Sequence, residues 1–214
     1  DSVILIILNT ALQRHGGPGE GDTLITCAAV VQSYMLLLAM PMSGITLGCQ
    51  GVVSFNLGAG DRRRVRQALW GVFFLCFSFA ALMLAVTQVF APRFVLFFST
   101  DGEILERSVR YIRVYTAGAL FMAVQWMCVD MSTALGQVRL ALGCSLMRKS
   151  LFLGGILLFP ILFSAPAAFA AEPFCDITAS LISIMLFLRF TPRVLDRYCS
   201  QPAPRDGAAA ELAG

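Results

Sequence analysis

Long apolar stretches broken by short polar segments run through most of the chain. The long stretches cover residues 23–50, 67–91, 112–136, 150–170 and 173–190, and a shorter apolar run lies within residues 1–14. Each long stretch comes near or exceeds the roughly 20 residues that a helix needs to span a bilayer. The pattern predicts an all-α membrane protein, a six-helix transmembrane lobe over residues 1–195. Its first helix is expected to be truncated, because the chain begins inside an apolar run.

The polar segments between the spans predict loops, one interfacial helix and a tail. Residues 15–22 are rich in Gly and predict a loop, and residues 137–149 are read as a second loop because they carry positive charges. Residues 92–111 combine charges with an apolar face, which predicts a helix lying along the membrane interface. Residues 196–214 contain Pro, Ala, Gly and charges, and predict a disordered cytoplasmic tail.

Composition supports the membrane interpretation. Hydrophobic residues make up 57% of the chain and charged residues 14%, with a mean hydropathy of +0.76. Soluble domains carry roughly 25% charged residues, so this chain has too few to cover a water-exposed surface. The seven Cys form no C-x-x-C pair, and His15 is the only histidine. Neither a metal site nor a bound cofactor is therefore predicted.

The positive residues predict the orientation of the spans. By the predicted topology, five lie on one side and eleven on the other, namely Arg62, Arg63, Arg64, Arg66, Arg139, Arg148, Lys149, Arg189, Arg193, Arg197 and Arg205. The richer side is expected to be cytoplasmic, with Arg62, Arg63, Arg64, Arg66, Arg148 and Lys149 as topology anchors. The carboxy terminus would then be cytoplasmic. The run from Arg62 to Arg66 could also bind nucleic acid, but its position between two spans favours an anchor at anionic headgroups.

Ionisable and polar residues within the spans are the candidates for function, since each is costly in hydrocarbon. Asp130 could couple a proton or cation, contact a cationic substrate, or be a structural carboxylate bonded to a neighbouring helix. Gln125 lies five residues earlier and points about 140° away at 100° per residue. Only one of the two is expected to line a narrow path, and the sequence leaves open which.

The last span carries a polar stripe. Asp176, Ser180 and Ser183 fall at i, i+4 and i+7, and Glu172 lies one turn before them. The stripe is expected to face water or other helices rather than lipid, with a cavity preferred over helix packing. Both acids also favour the start of a helix electrostatically.

Three further features could shape a cavity. Asn9, on the truncated first helix, could line it or bond to another helix. Pro41 is expected to kink the second span, and Gly44 and Gly48 form a G-x-x-x-G that permits close helix approach.

Four segments resemble one transporter family. They are LNTALQRHGG (Leu8 to Gly17), MPMSGITLGCQGVVSFNLGAGDRRRVRQAL (Met40 to Leu69), ALGQVRLALGCSLMRKS and EPFCDITAS (Glu172 to Ser180). Together they resemble the second half of the multidrug and toxic compound extrusion (MATE) family, and look closest to its bacterial multidrug-exporter branch. The Met40–Leu69 block, P-x-x-G-x-x-x-G-x-Q followed by N-x-G-A and a basic loop, is the most specific.

The resemblance implies a twelve-helix transporter of two lobes with a central cavity, exporting lipophilic cationic drugs or metabolites across the cytoplasmic membrane by antiport with H⁺ or Na⁺. This chain would be the carboxy-terminal lobe and a non-enzyme, with a bilayer, a small organic cation and a missing amino-terminal lobe as partners and no nucleic acid. Some branches carry acidic cation ligands on the seventh and tenth helices. Here those regions offer Asn9, Val124 and Gln125, so no Na⁺ site is transferred and the coupling ion stays open.

Three alternatives remain at this point. A lipid-linked oligosaccharide flippase of the same superfamily would need cationic side chains at mid-membrane depth, and none is predicted there. An intramembrane aspartyl protease would need Asp130 and Asp176 together, whereas the predicted topology separates them. The lobe could also be a non-functional truncation. As the deeper carboxylate, Asp130 is expected to matter more for transport than Asp176.

Overall fold

The computed structural model of the chain describes residues 2–17, 20–98 and 101–199. These residues form α-helices and one short 3₁₀ helix, and they contain no strand. The elements are α1 (Ser2–Gly16), α2 (Glu20–Gly58), α3 (Arg62–Val95), α4 (Gly102–Thr116), α5 (Ala119–Ala134), α6 (Val138–Leu162), the 3₁₀ helix (Ala165–Ala170) and α7 (Ala171–Cys199). The predicted disordered tail is wrong for residues 196–199, which are helical and belong to α7, and its remainder, residues 200–214, lies outside the described part of the chain.

Four helices are long and apolar enough to cross a membrane, and a bent pair can supply a fifth span. The four are α2, α3, α6 and the 3₁₀ helix together with α7. The pair is α4 and α5, which meet at an angle of 45°. This architecture confirms the predicted all-α, multi-pass membrane fold.

The helices run alternately up and down, so their ends gather in two layers. At one end α2 gives way to α3, α5 gives way to α6, and α7 terminates. We call this the basic end, because it carries Arg62, Arg63, Arg64, Arg66, Arg139, Arg193 and Arg197. At the opposite end α1 meets α2, α3 meets α4, and α6 meets the 3₁₀ helix.

Local sequence accounts for the turns at both ends. Gly60 and Gly136 adopt φ values of +71° and +74°, which allow the chain to reverse within a few residues. Asp61 accepts a hydrogen bond from the Arg64 amide at 3.0 Å and so caps the start of α3. Asp101 accepts one from the Glu103 amide at 2.9 Å at the start of α4.

Two hydrophobic clusters hold the bundle together. One joins α1, α2, α4 and α6 near the opposite end, and the other joins α2, α3, α5 and α7 near the basic end. Large apolar side chains also cover the outside of the bundle, for example Phe55, Phe74 and Leu188, which are 76%, 60% and 67% exposed. A continuous apolar exterior is what a lipid-facing surface requires.

The predicted loop at residues 137–149 is wrong. The turn between α5 and α6 needs only Gly136 and Gln137, and α6 begins at Val138. Arg148 and Lys149 therefore lie within a helix, about 15 Å along α6 at 1.5 Å per residue, and not at its end. Their charges imitate a loop in the sequence, and the role of both residues as topology anchors stays a prediction.

The predicted interfacial helix at residues 92–111 is also wrong in its bounds. α3 continues through Pro92 to Val95, and α4 starts at Gly102 and packs into the bundle. Ser108, Ile112 and Thr116 are fully buried against neighbouring helices. The apolar face of this segment is thus matched by protein, and α4 continues into α5 as one bent element.

Candidate functional site

Three ionisable side chains meet inside the bundle between α6 and α7. The Arg148 guanidinium donates from Nη2 to Glu172 Oε1 at 2.5 Å and to Asp176 Oδ1 at 2.8 Å, and from Nε to Asp176 Oδ1 at 3.1 Å. The side chains of Asp176, Glu172 and Arg148 are 1%, 7% and 17% exposed. We call this group the charge cluster.

The fold brings the two helices close enough for these contacts. A Cβ added at Gly155 of α6 would lie 2.9 Å from the Ala171 Cβ at the start of α7, so only glycine fits there. One turn further, the Cys175 thiol donates to the Arg148 carbonyl at 3.1 Å. These contacts fix the start of α7 against the middle of α6, which sets Arg148 opposite both acids.

The bend between α4 and α5 packs directly on the charge cluster. A Cβ at Gly118 would lie 2.9 Å from the Pro173 Cα and 3.2 Å from Asp176 Oδ2. Real Cβ atoms do not approach backbone that closely, so Gly118 is what lets α7 sit against the bend. Any shift of Asp176 therefore changes its contact with the residue at which α4 and α5 change direction.

The charges in the cluster do not balance. Two carboxylates face one guanidinium, which leaves a formal charge of −1 when both acids are ionised. Glu172 Oε2 is buried and lacks a well-formed hydrogen bond within the described residues, although the Tyr115 hydroxyl lies near enough to Glu172 to interact with it. Tyr115 of α4 lies beside the cluster, and its hydroxyl accepts from the Gln32 amide of α2 at 3.1 Å. An unbalanced buried carboxylate is a place where a proton or another cation is strongly favoured.

A second polar contact links the same helices one layer closer to the basic end. The Ser183 hydroxyl donates to Gln125 Oε1 at 2.7 Å, and the Gln125 amide donates to the Cys144 carbonyl at 3.4 Å. Gln125 is 1% exposed. It thus connects α5 with α6 and α7, and it does not open onto a path outside the lobe.

The stripe on α7 is closed off within this lobe. Ser180 is fully buried, and its hydroxyl donates to the Ile177 carbonyl at 2.9 Å. Asp176 and Ser183 are each 1% exposed without any second lobe present. The expectation that a cavity is preferred over helix packing is therefore not met, because the neighbouring helices α5 and α6 already cover the stripe.

Asp130 points away from Gln125, as the helical spacing requires. Its carboxylate lies beside the Thr46 hydroxyl of α2, on the side of α5 remote from α6. It is half-buried and shares none of the charge cluster's groups. The two acids that a protease would need together thus contact different helices.

The remaining predicted residues lie on the outer surface of the lobe. Asn9, Pro41, Gly44 and Gly48 are all exposed. A Cβ at Gly44 or Gly48 would meet no atom within 4 Å, so this G-x-x-x-G mediates no close approach between the described helices. Whether these residues line a cavity between two lobes stays a prediction.

Sequence reasoning missed the role of Arg148. The available signal was the pair Glu172 and Asp176 at i and i+4, which leaves two acids on one buried helix face without a counter-charge. Arg148 is the positive residue of α6 that lies on the face toward α7, whereas its neighbour Lys149 is exposed. A search for a partner to the two acids would have identified it.

Comparisons with known proteins agree with this architecture. The MatE family model matches residues 17–153 of the chain. No curated protein sequence matches it significantly. The chain is similar in fold to a MATE transporter in its bent conformation, with a TM-score of 0.81 and 14% identity over 94% of this chain and 44% of the other.

Two further solved structures are similar to it. A variant of the Vibrio cholerae MATE transporter VcmN matches with a TM-score of 0.80 and 15% identity, over 91% of this chain and 44% of the other. An inward-facing multidrug resistance MATE family transporter of the MOP superfamily matches with a TM-score of 0.78 and 14% identity, over 92% and 45%. This chain spans less than half the length of each.

Proposed function

The chain belongs to the MATE family, and from that premise we propose that it forms one lobe of a secondary antiporter that exports lipophilic organic cations. Transport would run outward across the cytoplasmic membrane, driven by the inward movement of H⁺ or Na⁺. The expected orientation puts the basic end, with the carboxy terminus, in the cytoplasm. The short coverage of the solved transporters supports a second lobe as partner.

The charge cluster is the observation that carries the proposal. Coupling requires a group whose charge changes when an ion binds, held where water and lipid do not neutralise it. Glu172 and Asp176 supply one negative charge more than Arg148 offsets, and all three side chains are largely enclosed by the lobe. Binding of one cation would make the cluster neutral.

The neighbouring backbone offers a route from ion binding to movement. When a proton or metal ion neutralises one acid, its attraction to Arg148 weakens and α7 can shift relative to α6. Asp176 lies against Gly118 at the bend between α4 and α5, so this shift acts on an element that already departs from a straight helix by 45°. Coupling of this kind needs two arrangements of packed helices, each favoured by a different charge state.

The lobe itself is expected to move largely as one body. The same chain is similar to an inward-facing and to an outward-facing MATE structure, with TM-scores of 0.78 and 0.76. A lobe that resembles both states fits alternating access by rocking of two lobes around a central cleft. The cluster would then tune the rocking from inside the lobe.

The flippase alternative is disfavoured for a new reason. Arg148 lies about 15 Å along α6, where we had expected no positive residue inside a span. However, two carboxylates more than offset its charge, so it offers no cationic surface to a pyrophosphate. A cationic or neutral cargo fits this lobe better.

Ethidium accumulation in cells that lack other efflux pumps tests the proposal. Cells expressing the protein in its full natural length should accumulate several-fold less ethidium than cells without it, and Asp176→Asn should restore accumulation. Glu106→Gln serves as the matched control, since Glu106 is an exposed carboxylate paired only with Arg110 among the described residues. Equal accumulation with and without the protein would exclude cation export.

A further inference from the structure

A groove opens on the outside of the bundle between α3, α5 and α7, starting at the basic end. Its volume is about 480 Å³. Most of its lining is apolar, with Trp70 and Phe73 from α3, Met127 from α5, and Phe187 and Leu188 from α7. Trp70 and Leu188 are 57% and 67% exposed, so the groove is open toward the surroundings of the bundle and not sealed inside it.

The length of the groove matches one leaflet of a bilayer. On α3 its lining runs from Arg62 to Phe73, and on α7 from Leu195 to Ile184. Eleven residues of α-helix rise about 16 Å, and half of the hydrocarbon core is about 15 Å thick. A groove that begins at the end of the bundle and stops at mid-depth fits a single acyl chain.

The mouth of the groove is basic. Arg62 and Arg66 both line it, and Arg62 also pairs with Asp196 at 2.5 Å. Arg66 is exposed and forms no ion pair with any residue that the structure describes. One unpaired guanidinium beside a second one is a receptor for a phosphate group.

Polar groups without partners lie where the apolar part begins. Thr191 lines the groove and is 8% exposed, and its hydroxyl has no hydrogen-bond partner in the described chain. Pro192 has no amide hydrogen, so the Leu188 carbonyl loses its helical donor at the same place. Thr191 and Arg66 lie at similar depths, about 7.5 Å and 6 Å below the level of the Arg62–Asp196 pair.

We propose that this groove binds one anionic phospholipid from the leaflet at the basic end. The phosphate lies between Arg66 and Arg62, an ester carbonyl accepts a hydrogen bond from Thr191 after rotation of its side chain, and an acyl chain fills the apolar trough. This order of phosphate, ester and hydrocarbon is the order of groups along a phospholipid. The site is separate from the charge cluster and does not depend on what the protein transports.

Other occupants match the groove less well. A lipophilic cation would be repelled by the two arginines at the mouth. The segment 200–214 follows α7 in the sequence, but Leu212 is its only large apolar residue, which is too little to fill a trough of this length. A neutral phospholipid would supply the acyl chain but not the net negative charge that would balance Arg66.

Quenching of Trp70 fluorescence by brominated lipid provides the test. The chain contains two Trp, so Trp126→Phe leaves Trp70 as the reporter in the groove. The protein is placed in phosphatidylcholine vesicles containing a few mole per cent of phosphatidylglycerol brominated on its acyl chains. Quenching should saturate at low mole fraction and exceed at least three-fold that given by the same fraction of brominated phosphatidylcholine.

Charge-matched variants separate a site from general attraction. Arg62→Gln/Arg66→Gln should reduce quenching by phosphatidylglycerol to the phosphatidylcholine level. Arg63→Gln/Arg64→Gln removes the same charge from the same helical turns outside the groove and should leave quenching unchanged. Equal loss in both double variants, or equal quenching by both lipids from the start, would overturn the proposal.

A second measurement avoids the Trp substitution. Native mass spectrometry of the unsubstituted protein, released from detergent, should retain one phosphatidylglycerol, and Arg62→Gln/Arg66→Gln should lose it. Retention of no lipid, or of phosphatidylglycerol and phosphatidylcholine alike, would contradict the proposal. A mass corresponding to a second copy of the chain in place of a lipid would identify the groove as a contact between copies instead.

Discussion

Asp176 and Asp130 are both carboxylates within predicted spans, but their surroundings differ in kind. Asp176 is 1% exposed, shares Arg148 with Glu172, and lies against the bend at Gly118. Asp130 is half-buried beside one hydroxyl, that of Thr46, and has no basic partner in the described chain. Depth along a helix is therefore a poor guide to which buried acid matters for function, because the groups on neighbouring helices decide what each acid can do.

The largest expected effect comes from removing the shared guanidinium. Arg148→Met leaves two buried carboxylates without a counter-charge, which should lower the free energy of unfolding by about 3–5 kcal/mol. Thermal unfolding in detergent measures this. The triple variant Arg148→Met/Glu172→Gln/Asp176→Asn removes all three charges of the cluster, so it should regain most of the stability that Arg148→Met loses. A single variant as stable as the wild type would mean that the acids do not depend on Arg148.

A smaller effect is expected where the bend meets α7. Gly118→Ala puts a Cβ within 2.9 Å of the Pro173 Cα, and the backbone must move to accept it. Overpacking of this kind costs roughly 1–3 kcal/mol and should reduce ethidium export. Gly71→Ala is the matched control, since Gly71 is an exposed helical glycine whose Cβ would meet no atom within 4 Å. Similar losses of stability and export in both variants would show that the effect does not come from the contact between the bend and α7.

The contact between Gln125 and Ser183 should contribute no more than the contact at the bend. Ser183→Ala leaves Gln125 Oε1 buried without its donor, at a cost of about 1–3 kcal/mol. The loss of unfolding free energy in Gln125→Leu/Ser183→Ala should be smaller than the sum of the losses in the two single variants. In the double variant neither side chain leaves the other unpaired. Additive losses in a double-mutant cycle of unfolding free energies would show that the two side chains do not interact.

The smallest effect on transport is expected at Asp130. Asp130→Asn keeps the shape of the side chain and disturbs only its contact with Thr46, so ethidium export should fall less than with Asp176→Asn. This order reverses the expectation drawn from the sequence, in which Asp130 was preferred as the deeper acid. Export assays on the two variants at matched expression decide between them, and a greater loss with Asp130→Asn would restore the earlier order.

Much of the fold could be predicted from hydropathy alone. Apolar length gave the spans, and the Met40–Leu69 block gave the family, which the MatE match confirms. Helix ends were less accurate wherever a charge fell inside a helix. Hydropathy places Arg148 and Lys149 in a loop because it scores each residue by itself. It contains no information about the two carboxylates that α7 supplies to Arg148.

The candidate site was harder to predict, for the same reason. The stripe of Asp176, Ser180 and Ser183 follows from helical spacing, and its inward direction was foreseen. Which element it faces depends on the contact of Gly155 with Ala171 and on the position of Gly118, and both arise from three-dimensional packing. A single sequence carries no direct record of such contacts between distant segments.

The pairing of Arg148 with the next helix also bears on how the protein is made. An arginine at the centre of a lone helix costs about 2.5–3.5 kcal/mol to insert into a membrane. Its two counter-charges lie 24 and 28 residues later, at the beginning of α7. α6 is thus poorly suited to leave the translocation channel by itself, and the favoured course is for both helices to enter the bilayer together as a hairpin, with the ion pairs already closed.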